Sequence, residues 1–411
     1  MASEWRTTSL GEVIELKRGY DLPTKSRRRG RFAIVSSSGP TDTHAEFKAK
    51  APGVVTGRYG TIGEVYYITT DYWPLNTALY VKDFKGNDPR FISYLLRGID
   101  FLAYSDKSAV PGVNRNHLHQ AKVTVPPIPA QHRIANVLGK LDDKIELNRR
   151  MNRTLEKMAA AIFKSWFIDF DPVHAKAEGR DPNLPADIAD LFPDAFEDSE
   201  LGAIPKGWDV KPLVATVQLH SGGTPKTTEA TYWDGGIPWF SVKDAPSDSD
   251  AWVVGTERTV TQEGLDNSAA QLLPERTTII SARGTVGRLA LTGVPMAMNQ
   301  SCYGIRGKDN YSDFFTYYSM RRATGQLQRH THGTVFDTIT RKTFETLHQV
   351  APPPRLAMEF DGVVEPLLEK VRANLLQSLT LIQLRDTLLP KLLSGEIELP
   401  EAEPFAEEAA S

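Results

Sequence analysis

The sequence predicts an α+β protein made twice over: two similar α/β globules, each followed by a long helix, the two helices packed as an antiparallel coiled coil about a pseudo-twofold axis. Three observations predict this. The 411-residue chain repeats itself once across most of its length, each copy opens with short β-rich runs broken by glycine turns, and each copy closes with an apolar stripe of helical period.

The duplication is carried by spaced residues. Trp5 and Leu10 to Gly19 match Trp208 and Leu213 to Gly222 at an offset of 203. Tyr59-Gly-Thr-Ile-Gly63 matches Arg283-Gly-Thr-Val-Gly287 at 224, and Asn76 matches Asn299 at 223. Val125-Pro-Pro127 matches Val350-Ala-Pro352 at 225, and Ala135 to Phe167 matches Asp361 to Leu393 at 226. The second copy therefore carries about 21 extra residues between Gly222 and Arg283.

The first globule spans 1–132, with Gly53 to Gly60 and Glu64 to Thr69 read as strands flanking a glycine turn. A spacer helix follows over 133–168. Its seam places Ile134, Leu141, Asn148, Leu155 and Ile162 at a and Val137, Lys144, Met151, Met158 and Ser165 at d, widened by Leu138, Ile145 and Trp166. Residues 169–204 form an exposed acidic linker with one short helix near Ile188–Leu191. The second globule covers 205–355, and the second spacer helix 356–395. There a holds Phe360, Leu367, Asn374, Leu381 and Leu388, and d holds Val363, Lys370, Gln377, Leu384 and Lys391. Pro366 and Pro390 are expected to kink or fray this helix. An acidic tail, 396–411, completes the chain. Asn148 and Asn374 recur at one seam position and Lys144 and Lys370 at another; a polar Asn in a seam costs stability but fixes register, so the repetition argues for a specified pair.

Composition sets the class. Forty per cent apolar and 24% charged residues describe a folded chain. No run is long and apolar enough for a bilayer, and the first residues are too polar for a signal peptide, so a cytoplasmic location is expected. The single cysteine, Cys302, excludes intrachain disulfides and multi-cysteine metal sites, and reads as a small buried apolar residue. The net charge of −3 is unevenly spread: +6 over 1–132, +4 over 133–168 and +2 over 205–355, against −8 in the linker and −7 over 356–411. A mildly basic body suits a phosphate-binding protein but does not require one.

The usual catalytic constellations are absent. No dinucleotide fingerprint, phosphate loop, nucleophile elbow, zinc-binding His pair or amino-methyltransferase Asn-Pro-Pro-Tyr motif occurs. His117-x-His119 and His330-x-His332 lack a third ligand at useful spacing, so no bound metal is expected. Such a chain binds something rather than transforming it.

At this point the residues resemble a known family. Ser199-Glu-Leu-Gly-Ala-Ile-Pro-Lys-Gly-Trp208, Ile237-Pro-Trp-Phe-Ser-Val-Lys-Asp244, Gly57 to Gly63 with Asp71 to Thr77, and Pro126-Pro-Ile-Pro-Ala-Gln131 followed by Leu138 to Asn148 are similar to the DNA-specificity subunits of type I restriction-modification enzymes. The likeness runs from Trp5 to about Leu399. It departs where the lead-in before Trp5 is missing and where the second proline run, ending at Pro354, lacks the usual Gln. The resemblance implies a non-catalytic subunit that binds no cofactor of its own. It would bind double-stranded DNA and recruit two methyltransferase subunits that use S-adenosylmethionine. It would also join restriction-translocase subunits that use ATP and Mg. Two unlike globules would read an asymmetric, bipartite site around a fixed gap. A stand-alone two-headed DNA-binding regulator is the alternative.

Candidate DNA contacts lie in loops. Lys25, Arg27, Arg28 and Arg29, with Arg31, form a dense cation run for phosphates. Arg58 and Arg283 sit at the glycine turns, where a guanidinium can reach a base edge. Asn114, Arg115 and Asn116, Arg341 and Lys342 precede the proline segments at matching positions, and Lys243 lies in the family-like Ile237–Asp244 run. Asn76 and Asn299 read as turn residues, and Tyr59 and Trp73 as core.

Overall fold

The computed structural model describes residues 5–105, 112–246, 250–330, 338–397 and 399–410. The first globule runs β1 (Arg6–Ser9), α1 (Leu10–Val13), β2 (Glu15–Arg18), β3 (Phe32–Ser36), β4 (Gly39–His44), β5 (Gly53–Gly57), β6 (Val65–Ile68), β7 (Tyr72–Pro74), β8 (Ala78–Asp83), α2 (Pro89–Arg97), α3 (Arg115–Leu118) and β9 (Lys122–Val125), and leads into the long α4 (Ile128–Phe167). The connection holds α5 (Asp171–Ala177), α6 (Ala186–Ala189), β10 (Phe196–Ser199) and β11 (Gly202–Pro205). The second globule supplies β12 (Asp209–Pro212), β13 (Val217–Ser221), β14 (Trp233–Phe240), β15 (Trp252–Val253), β16 (Thr259–Val260), α7 (Gln262–Asp266), β17 (Thr278–Ser281), β18 (Leu289–Thr292), β19 (Ala297–Met298), β20 (Cys302–Gly307), α8 (Asp313–His330), α9 (Arg341–Thr346) and β21 (His348–Ala351). The long α10 (Pro354–Ser394) and α11 (Leu399–Ala410) follow.

The two globules share one sheet plan. The order β2-β8-β5-β6 recurs as β13-β20-β17-β18, with β15 added as a fifth strand, and β4-β3-β7 recurs as β16-β14-β19. Arg6 faces Val125 in β1/β9 as Asp209 faces Ala351 in β12/β21, so the offset of 203 holds at the first strand, while Val125 corresponds to Ala351 at 226 rather than to Val350 at the expected 225. Sterics explain the repeated glycines. A Cβ on Gly19 would lie 2.1 Å from the Leu75 carbonyl oxygen, and one on Gly222 1.9 Å from that of Asn299, so only glycine allows either crossing. Val35 pairs with Pro74 as Phe240 pairs with Met298, which puts most of the insertion between Phe240 and Thr278. The insertion's strand β15 is an anchor. Glu156 on α4 accepts from the Ala251 amide at 2.7 Å, and the Trp252 indole donates to the Leu368 carbonyl of α10 at 2.8 Å.

The chain divides into two compact units, residues 1–146 with 378–411 and residues 147–377. Each long helix contributes about one half of its length to each unit. In the first unit Asp142 of α4 meets Arg385 of α10 at 2.7 Å, together with Arg97 and Tyr94 of α2 at 3.0 and 2.8 Å. In the second, Asn148 donates to Gln377 at 2.9 Å and Asn374 donates to Asn152 at 2.8 Å. Within the second unit residue number rises on one helix as it falls on the other, so the pairing there is antiparallel. α4 has 40 residues and α10 has 41, about 60 Å each at 1.5 Å per residue.

Three expectations are corrected here. The seam departs from the predicted d set: on α4 Leu138, Ile145, Asn152, Ala159 and Trp166, one position past d, are buried alongside Ile134, Leu141 and Asn148 at a, while Met158 is half exposed. On α10 Val364, Val371, Ser378 and Leu392 are buried in the same way alongside Phe360, Asn374, Leu381 and Leu388 at a, and Lys370 faces solvent. Each helix half covers a globule as well as its partner helix, which widens the buried stripe beyond a two-position seam. Secondly, α10 continues through Pro366 and Pro390 without a break. Thirdly, the acidic connection is packed, not exposed: Val173, Ile188 and Phe192 are buried, and Phe192 meets the Trp166 ring edge-on at 5.4 Å. The acidic tail forms α11, and its Glu407 pairs with Lys140 at 2.8 Å.

The missing Gln also has a physical account. Gln131 is buried at the start of α4, where it accepts from the Asp88 amide and donates to Asn87 and the Pro126 carbonyl. Asp88 in turn caps α2 through Phe91. In the second copy Asp361, one turn along α10, takes over this tie by accepting from Ser312 and from the Phe314 and Phe315 amides that open α8.

Candidate nucleic-acid interface

The glycine turns are the best-matched feature of the two globules. Gly60 and Gly284 have φ of +75° and +76°, and Gly63 and Gly287 have +87° and +83°, left-handed conformations that favour glycine. Backbone pairing frames both turns alike. The Arg58 amide donates to Thr77 and its carbonyl accepts from Val113, just as Ala282 pairs with Ser301 and Ile339. Arg283 therefore corresponds to Tyr59, not to Arg58. Tyr59 is 38% exposed rather than core, and the Arg58 guanidinium stands 4.6 Å from its ring centroid. The same frame thus presents an aromatic–cation pair in one globule and an exposed Arg283 in the other.

These contacts also bring predicted segments together. Val113 meets the first turn, and the next residue, Asn114, caps α3 by accepting from the Asn116 amide at 2.9 Å, which leaves Arg115 and Asn116 exposed beside the turn. Ile339 meets the second turn, and Thr340 caps α9, whose first residues Arg341 and Lys342 are exposed. In each globule, then, one glycine turn and one short basic helix start adjoin.

The cation run is partly neutralised. Arg27 pairs with Asp42 at 3.3 Å and Arg28 pairs with Glu46, while Lys25 and Arg29 are exposed. The Thr43 amide and Arg27 hold the Asp42 carboxyl below its ordinary value, so that pair stays charged. Exposed ion pairs contribute only about 0–1 kcal/mol, so a phosphate can displace Glu46 from Arg28 at little cost. Lys243 stands apart from this run, on a 3-10 turn of the insertion where Asp244 accepts from Ser241 and the Glu257 amide.

The remaining sequence candidates resolve simply. The Asn299 side chain accepts from the Ser301 amide, Asn76 pairs with Asp21, and Trp73 is buried. His119 Nε2 accepts from the Leu16 amide at 3.0 Å, and burial lowers its pKa, so this ring is neutral and committed to the backbone. His332 lies outside the described residues. Among the described residues no group of three or more His, Cys, Asp or Glu is placed to hold a metal ion. Cys302 is buried, which pushes its thiol up to about 12 and leaves it unreactive.

A family model described as the type I restriction modification DNA specificity domain matches residues 2–157 and again 205–354, once per repeat. The chain belongs to that family. It is a type I restriction-modification specificity subunit, built from two copies of the family's domain. Over 338 residues it is 26% identical to the "Type I restriction enzyme HindI specificity subunit" of Haemophilus influenzae, covering 72% of this chain and 73% of that one. It is 27% identical over 301 residues to the MjaIX specificity subunit of Methanocaldococcus jannaschii, covering 72% of this chain and 65% of that relative. A crystal structure of a type I S subunit from M. genitalium aligns over 95% of this chain and 96% of that chain, with a TM-score of 0.59 at 15% identity, which is a likeness of fold. Among the described residues of this specificity subunit, no helix is long and apolar enough to cross a membrane.

Proposed function

We propose that this specificity subunit is the non-catalytic DNA reader of a type I restriction-modification complex, each globule reading one half of an asymmetric bipartite site around an unread gap of constant length. One observation carries the reading: the two glycine turns share backbone geometry but expose Tyr59, beside a half-buried Arg58, in one copy and Arg283 in the other. A shared frame with unlike tips suits two similar modules that read different sequences. Antiparallel pairing of α4 and α10 within the second unit, with amides buried at Asn148 and Asn374, supports a helix pair of specified register.

In this reading the chain itself binds no cofactor. It acts in the cytoplasm, where it recruits two methyltransferase subunits that supply S-adenosylmethionine chemistry and joins restriction subunits that use ATP and Mg. Expression in a host with and without its methyltransferase partner tests the proposal by mapping methylated adenines. Methylation at one motif that needs both chains is the expected result, and methylation independent of this chain would overturn it.

A further inference from the structure

The hairpin of β14 and β16 holds a cation that no sequence motif singled out. The Trp239 amide donates to the Arg258 carbonyl at 3.0 Å, which places Arg258 where the first globule has Asp42 opposite Ile34. The two repeats thus carry opposite charges at one register position: Asp42 is paired with Arg27, whereas Arg258 lies on indoles. Its guanidinium carbon is 3.5 Å from the Trp233 ring centroid and 5.8 Å from that of Trp239. The two indoles meet edge to face at 5.1 Å, and both are tied down, Trp233 Nε1 to the Lys226 carbonyl at 3.3 Å and Trp239 Nε1 to the Gly223 carbonyl at 3.0 Å. A bulge in β14 sets Trp233 as well as Ile237 against Val260 and so brings both rings to this place.

Arg258 is nevertheless exposed, and among the described residues no carboxylate pairs with it. Stacking fixes the plane of the guanidinium and leaves its N–H edge to solvent. A phosphate asks only for charge, which a mobile lysine supplies. A fixed plane matters where two acceptors must be met at once, and guanine O6 and N7 are the base-edge pair that fits the fork.

We infer that Arg258 is a specificity-determining residue of the second globule, its stacked guanidinium edge placed to receive O6 and N7 of one guanine in the second half-site. The inference rests on the proposed DNA-reading function and extends it to a residue beside the insertion.

The test uses the assembled methyltransferase complex on its own mapped site, with each guanine replaced in turn by 7-deazaguanine, which lacks the N7 acceptor. The wild type should lose about ten- to a hundredfold in affinity at one guanine of one half-site. Arg258→Met, which keeps the apolar stem but has no donor, should have lost that preference already and show no further loss with the modified base. Arg258→Gln, which favours adenine, should shift the preferred base at the same position. Wild-type preferences retained at every guanine by both variants would overturn the inference while leaving the DNA-reading function intact. A wild-type complex without any base preference would instead remove the function on which the inference rests.

Discussion

Arg283 and Glu156 show how single side chains divide between reading and holding. Arg283 projects from a turn whose backbone is fixed by two left-handed glycines, so its replacement should leave the fold alone. Arg283→Ala is expected to flatten base preference at one position of one half-site, a loss of about 1–3 kcal/mol, in competition binding with specific and scrambled duplexes. Equal discrimination by variant and wild type would remove Arg283 from the site. Glu156 holds. Burial pushes its carboxyl up to about 7, against an ordinary 4.5, with Asp250 adding in the same direction and the Ala251 amide and Arg321 opposing. Because the folded value is raised, the native state retains a proton that the unfolded chain has released. Its contribution is therefore greatest below about pH 4.5 and is lost as pH rises through about 7. Glu156→Gln keeps an oxygen for Ala251 without a charge, so its denaturation midpoint should fall less than that of the wild type between pH 5 and 8. Parallel curves for the two proteins would contradict the assignment.

Among the elements, the long helices show what a sequence can and cannot reveal. Their existence, their repetition and the two seam asparagines were legible, because apolar period and polar interruptions are local properties. The choice between d and the next position was not, since Val137 and Leu138 are both apolar. The burial pattern predicts the energetic difference. Leu141→Ala, at a fully buried position, should cost about 2–5 kcal/mol in denaturant unfolding. Lys370→Ala, at an exposed d position, should change stability by no more than about 0.5 kcal/mol. In the polar layer, Asn374→Ala leaves Asn152 without its 2.8 Å donor and should cost about 1–3 kcal/mol. The neutralisation of Arg27 and Arg28 was likewise hidden. Their acids lie 15 and 18 residues further on and arrive only when the β3–β4 hairpin folds in its actual register. The acidic connection misled for a related reason: its charge dominates its composition, while Val173, Ile188 and Phe192 supply the few side chains that decide its burial.

For the whole molecule, the offsets of 203 and 226 that frame β1/β9 and β12/β21 show that one domain plan is used twice, ending on the same ladder each time. That equivalence makes an exchange feasible. A chain whose first globule, residues 6–125, is replaced by a second copy of residues 209–351 should direct methylation to a site made of the second half-site twice. Persistence of the first half-site in that map would contradict independent reading by the two globules. The most direct measurement is selection of bound duplexes from a random pool by the assembled wild-type complex. Two unlike conserved blocks separated by a constant number of unconserved base pairs are predicted. A single continuous block, or a gap that varies among the selected duplexes, would contradict the account.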